Sequence, residues 1–286
     1  MPAASRLGIV RGMPSPVRAV ALAALAGLLL VLGVPVAAAD TSDGHREVGY
    51  DVSYPQCDED LPDGPAFAII GVNGGIATRP NPCLAEQLEW AAGSSGAVPE
   101  QPPVQLYVNT ANPGQVRDEV SSWPLAGDTP YGTCRGENDL ACSWQYGWIR
   151  AYVDAQAFLP LAATDAGLPT DPAAYRWWLD VETMNTWQTG SSDARARNRA
   201  SLEGMTAYLT GKGGQVGVYS TDLQWRRIVG DVPPDSPLHE LDSWLAGAST
   251  AREARATCRQ APLVPGGRVV LTQYVTRGLD HDHSCA

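Results

Sequence analysis

Asp180 and Glu182 stand two residues apart at the end of an apolar run, Trp177-Trp178-Leu179-Asp180-Val181-Glu182. Read as a strand, the run alternates its side chains, so Trp178, Asp180 and Glu182 share one face. Such a face is costly to build for stability alone. Unpaired buried charge is unfavourable, and a close carboxylate pair drives one pKa upward. The same trio suits cleavage of a glycosidic bond, which needs one protonated acid, one carboxylate and a surface for a sugar ring. Trp178 and Trp187 flank the carboxylates and are the candidate platform, because a Trp ring offers both an apolar face and an N–H donor. Most of the nine tryptophans are expected in the core.

Other polar residues also fall where apolar runs stop: Asp51, Asn73, Asn109, Ser220-Thr221 and Gln273-Tyr274, with Asp280 just beyond. In parallel α/β barrels, chemistry sits at the C-terminal ends of the strands. Asn109, Tyr219 and Gln273 are therefore candidate substrate contacts. For Asn73, Asn109 and Ser220, capping or turn duty is the competing account. It fits Asp180 and Glu182 less well, since a cap needs one side chain and not two on one face. The tail Asp280-His281-Asp282-His283 alternates acid and imidazole, which puts the two kinds on opposite faces of an extended chain. Without a spaced partner it is a weak metal motif. No Gly-rich phosphate loop and no Gly-x-Ser-x-Gly elbow occurs.

These groups need a scaffold. Residues 1–39 read as a secretory signal: Arg6, Arg11 and Arg18, an apolar stretch from Ala19 to Val36, then Ala37-Ala38-Ala39. The protein is accordingly expected to be secreted, extracellular or wall-associated, with no membrane insertion after cleavage. Residues 40–286 are close to the ~250 typical of an eight-fold α/β barrel. Apolar strand-like runs at 48–53, 67–72, 104–108, 177–181, 216–220, 243–247 and 269–274 alternate with helix-length segments. Helical spacing is read at 84–92, 148–161, 197–209 and 225–229. That rhythm predicts an α/β fold, a single (β/α) TIM-type barrel, with one short strand still hidden. The stretch 113–147 is the least regular.

All six cysteines follow the signal. In an exported chain they imply three disulfides, and proximity favours Cys57–Cys83, Cys134–Cys142 and Cys258–Cys285. The pairing leaves no thiol nucleophile, and the spacings do not suit zinc. The net charge of −11 argues against nucleic acid or an anionic membrane as partner, and says little about neutral sugars. A monomer is expected.

Several segments, taken in order, resemble glycoside hydrolase family 25, the Chalaropsis-type lysozymes. They are Gly49-Tyr50-Asp51-Val52-Ser53, Leu179-Asp180-Val181-Glu182, Gly217-Val218-Tyr219-Ser220 with Trp225, Trp244-Leu245-Ala246, Thr272-Gln273-Tyr274 and Asp280. The resemblance spans nearly all of residues 48–282, and is closest to exported, disulfide-containing glycoside-hydrolase-like relatives. It implies a modified barrel that hydrolyses the β-1,4 bond between N-acetylmuramic acid and N-acetylglucosamine in a cell-wall polysaccharide, with no metal or organic cofactor. Glu182 matches the general acid, and Asp180 the partner carboxylate that orients the substrate's N-acetyl group. Asp51 and Asp280 match two further acidic positions. Crowding of the four acids would hold Glu182 protonated. The chain departs from the family at Asn73-Gly74-Gly75 and Asn109-Thr110-Ala111-Asn112, where cleft-lining charges are usual. Two other readings stand beside the enzyme: a non-catalytic glycan-binding barrel that keeps the acidic cleft, and a scaffold presenting loops to a protein.

Overall fold

The computed structural model describes residues 47–285, so the signal read over residues 1–39 lies outside the described residues. The strands, in chain order, are β1 (Gly49–Val52), β2 (Ala68–Gly71), β3 (Val104–Asn109), β4 (Gly127–Thr129), β5 (Gly132–Cys134), β6 (Arg176–Asp180), β7 (Gln215–Ser220), β8 (Asp242–Ala248), β9 (Val269–Thr276) and β10 (Leu279–Ser284). β4 and β5 form a separate ribbon. The other eight close into a barrel in the order β1, β2, β3, β6, β7, β8, β9, β10.

All seven strands read from the sequence are present, and the hidden eighth is the Asp/His tail. β10 runs antiparallel to both of its neighbours, β9 and β1. It returns from β9 through a two-residue turn, Arg277-Gly278, with φ of 55° and 79°. Positive φ at both positions is the geometry of a tight hairpin whose twist matches the flanking strands. The βα rhythm therefore stops at this seam. A hairpin replaces the last crossover, and only a 3-10 turn, Tyr54–Gln56, lies between β1 and β2.

The helices are α1 (Leu84–Ala92), α2 (Leu140–Val153), α3 (Leu159–Asp165), α4 (Ser192–Gly211), α5 (Asp222–Ile228) and α6 (Ala251–Thr257). α2, α4, α5 and α6 each start on a capping side chain, from Asp139, Ser191, Thr221 and Thr250. These caps explain why α2 and α4 begin before the apolar spacing becomes visible at 148 and 197. A π turn, Asp154–Phe158, joins α2 to α3. α2 and α4 pack backbone to backbone: a Cβ on Gly147 would sit 1.8 Å from the Ser201 carbonyl, and one on Gly204 2.0 Å from that of Trp144.

Alternation along the strands makes two cores. Outward residues, among them Val52, Ile70, Leu106, Trp177 and Leu179, meet the helices at Leu84, Leu88, Leu202 and Met205. Inward residues Phe67, Ile69, Trp178, Trp244 and Leu271 fill the barrel floor. Glycine makes room for these rings. A Cβ on Gly217 would lie 2.3 Å from the Trp178 ring, and one on Gly49 2.2 Å from Phe67. The three disulfides pair as expected, and Cys258–Cys285 ties α6 to the residue after β10.

Candidate active site

Above the apolar floor the inward positions turn acidic. Asp51 ends the inward row of β1, Asp180 ends β6 and Asp280 opens β10. Glu182 follows two residues after β6 and so stays on the inward side. These four line one cleft of about 280 Å³, together with Tyr107, Tyr219, Trp244, Gln273 and Val275. Asp51 and Asp280 are direct cross-strand partners, so the hairpin seam brings together residues from opposite ends of the chain. Gln273 bridges the wall, donating from Nε2 to Asp51 Oδ2 at 2.9 Å and accepting the Tyr219 hydroxyl at 2.9 Å.

The chain around Glu182 is braced from several sides. Val181 N donates to the Tyr219 carbonyl at 2.9 Å. The Ser220 hydroxyl donates to the Val181 carbonyl at 2.6 Å, and the Trp187 indole to the Glu182 carbonyl at 2.9 Å. The Gln224 side chain hydrogen-bonds Glu182 itself. These contacts fix the segment after β6, where a strand would otherwise dissolve into loop.

Among the described residues no basic side chain lines the cleft, and every acid in it is pushed up. Burial raises Asp51 well above the usual carboxylate range, and the charge of Asp280 adds to it. Burial does the same for Asp180, reinforced by Glu182 and then Asp51. Asp280 is raised by burial and by Glu182. Glu182 is raised by burial alone, against the Gln224 hydrogen bond. The sequence reading had neighbouring charge holding the proton on Glu182. In the structure that repulsion falls instead on Asp180, Asp51 and Asp280. Glu182 is half-buried, whereas Asp180 is buried.

Three of the expected substrate contacts take other roles. Trp178 is wholly buried and edge-on to Trp244, with its indole N–H donating to Gln105 Oε1 at 2.9 Å. A ring in the barrel floor offers no face to a sugar, so the platform role is withdrawn. The inward periodicity that aligned Trp178 with the carboxylates also placed it one layer too deep. Trp187 lies outside the cleft lining, packs on the outer core and braces Glu182. Asn109 is tied to Asn73, whose Oδ1 accepts from both Asn109 N (2.7 Å) and Nδ2 (3.0 Å). The two asparagines thus tie the end of β3 to the segment after β2, a structural role that is neither a helix cap nor a turn. Tyr219 and Gln273 do face the cleft.

Tyr107 has no place in the sequence reading, and Trp244 and the fully buried Asp282 appear there only as part of longer segments and not as site candidates. Tyr107 is two residues before Asn109 and inward by the same alternation, so its signal was available. Asp282 shares the inward face of β10 with Asp280, which the Asp/His alternation already announced. The histidines point outward, where His281 meets the rings of Tyr50 and Tyr274. The tail thus cannot turn its acids and imidazoles onto one metal ion. A second cleft, of about 360 Å³, opens among the segments after β2, β3 and β6, lined by Gly75, Ala111 and Met184 among others. Of the segments 73–75 and 109–112, only Gly75 and Ala111 line it.

No protein-family model and no curated protein matches the chain. Two solved structures are similar to it. A muramidase from Trichobolus zukalii is 16% identical, over 83% of this chain and 92% of that one, with a TM-score of 0.44. A bacterial lysozyme from Streptomyces coelicolor is 15% identical, over 83% and 91%, with a TM-score of 0.47. At that distance neither says what this chain does.

Proposed function

We propose that the acidic cleft is the active site of an exported glycoside hydrolase that cuts β-1,4 amino-sugar linkages of peptidoglycan. The observation that carries this reading is the convergence of Asp51, Asp180, Glu182 and Asp280 on one cleft at the C-terminal mouth of the barrel. Structural salt bridging does not account for them, since no Lys, Arg or His side chain is among the described residues that line the cleft. In the proposed reaction Glu182 protonates the leaving glycosidic oxygen. Asp180 holds the substrate's N-acetyl group so that its carbonyl oxygen attacks the anomeric carbon, and water then opens the cyclic intermediate. Asp51 and Asp280 offset the positive charge that develops on the sugar ring. Binding buries Glu182 further and strengthens its hold on the proton. Three disulfides accord with export.

The test is to digest purified peptidoglycan, reduce the products with borohydride and identify the reduced terminal sugar. The reading expects N-acetylmuramitol. Reduced N-acetylglucosamine would reassign the bond, and no new reducing end would leave a glycan-binding barrel.

A further inference from the structure

Asp282 is a fifth carboxylate, on the inward face of β10 one layer below the cleft, with 0% of its surface exposed. As a carboxylate it has nothing to accept: both oxygens are buried and neither receives a hydrogen bond. Its surroundings come from three strands besides its own. β1 supplies the Asp51 carboxyl, at hydrogen-bonding range, and β8 the Trp244 indole, whose N–H approaches without closing a full bond. β9 supplies its cross-strand partner Gln273, whose amide already serves Asp51 and Tyr219. On β10 itself the charge of Asp280 also pushes Asp282 upward. None of these groups is a cation, and the ion pairs among the described residues lie elsewhere. A buried carboxyl without donor or cation takes up a proton. That single proton would satisfy both acids, because an O–H on Asp282 has an acceptor in Asp51.

We propose that Asp282 is a protonated carboxylic acid that donates its O–H to Asp51, so that of this buried pair Asp282 carries the proton and Asp51 accepts from two donors, Asp282 and Gln273 Nε2. Asp282 is then a positioning residue: it touches no substrate and acts through Asp51. Burial, then the charges of Asp51 and Asp280, push Asp282 well above the usual range. Asp51 is also raised, by burial and then by Asp280, but the hydrogen bonds from Gln273 and Asp282 pull it back, whereas the bond to Asp51 pushes Asp282 further up. A neutral carboxyl used as a donor is a known device for holding charge in an apolar site. The consequence for catalysis rests on the glycosidase reading; the protonation state does not.

Two variants separate the possibilities. Asp282→Asn keeps a donor and cannot ionise, whereas Asp282→Leu removes the donor. In infrared difference spectra at neutral pH, wild type minus Asp282→Asn should show the carbonyl stretch of an un-ionised carboxylic acid. A carboxylate band in its place overturns the proposal, whether or not the protein cuts glycan. In the peptidoglycan assay Asp282→Asn should retain kcat within about threefold. Asp282→Leu should lose roughly tenfold to a hundredfold, the worth of a hydrogen bond to a charged group. If Asp282→Asn falls as far as Asp282→Leu, a carboxylate is required and the donor role is wrong. Inactivity of wild type would sink the glycosidase reading and leave the infrared result to decide on Asp282.

Discussion

The floor and the mouth of this barrel are built by the same strands with the same inward periodicity, yet they do opposite things. The floor stacks Phe67, Ile69, Trp178, Trp244 and Leu271 around glycines that make room for rings. The mouth, one or two residues further along, buries Asp51 and Asp180 and half-buries Asp280 and Glu182, with Asp282 buried just beneath. The floor removes apolar area from water and leaves no charge to solvate, so it stabilises. The mouth concentrates like charge without a counter-ion, so it costs stability and holds protons. A single strand, β6, carries the change: Trp178 is floor and Asp180 is mouth. The scaffold thus supports a destabilised site from directly beneath it.

Substitutions in the two layers should part cleanly. Glu182→Gln should lower glycan cleavage by about 10²–10⁴-fold, the usual worth of a positioned general acid, with melting no lower than that of wild type. Trp178→Ala should instead cost about 3–5 kcal/mol of stability in denaturant titrations, through the cavity it leaves in the floor. Glycan affinity of the fraction still folded should hold, since Trp178 is no platform.

The mouth should also be visible in stability against pH. Its acids have folded pKa values raised above the unfolded ~4, so the native state binds more protons between those two values. Stability is then fullest in mild acid, at or below the unfolded pKa, and declines as pH rises towards the folded pKa. Asp180→Asn should flatten that decline and gain on the order of 1 kcal/mol over wild type at neutral pH. Asp154, buried on the helix side and pushed up to about 8 by burial despite Arg150 and Asn73, should behave likewise when changed to Asn. The difference is that only the mouth variant should lose activity. A loss of stability without loss of activity is expected at Gly217→Ala, where the new methyl meets the Trp178 ring. About 1–3 kcal/mol of overpacking should appear in the melting temperature with kcat unaltered.

Much of this division was legible in the sequence. Seven strands, α1 and the disulfides came from apolar runs, helical spacing and cysteine proximity, because each signal is local. The eighth strand was not legible, since Leu279–Ser284 is polar on both faces: its acids point into the mouth and its histidines out to Tyr50 and Tyr274. α6 was missed because Ala251–Thr257 buries only Ala254 and has no apolar stripe to read. At the site, period two correctly grouped Trp178, Asp180 and Glu182, but periodicity says which way a side chain points and not how deep it lies. Depth separated Trp178 from the cleft. It also placed Asp282 under Asp51, a contact set by β1–β10 register between residues far apart in the chain.

The catalytic role of Glu182 is tested most directly by release of reducing ends from purified peptidoglycan by wild type and Glu182→Gln, assayed together with their melting curves. Melting no lower than that of wild type and loss of nearly all release are expected in the variant. Equal release at matched melting would contradict that role, and would return the acidic mouth to a role in binding alone.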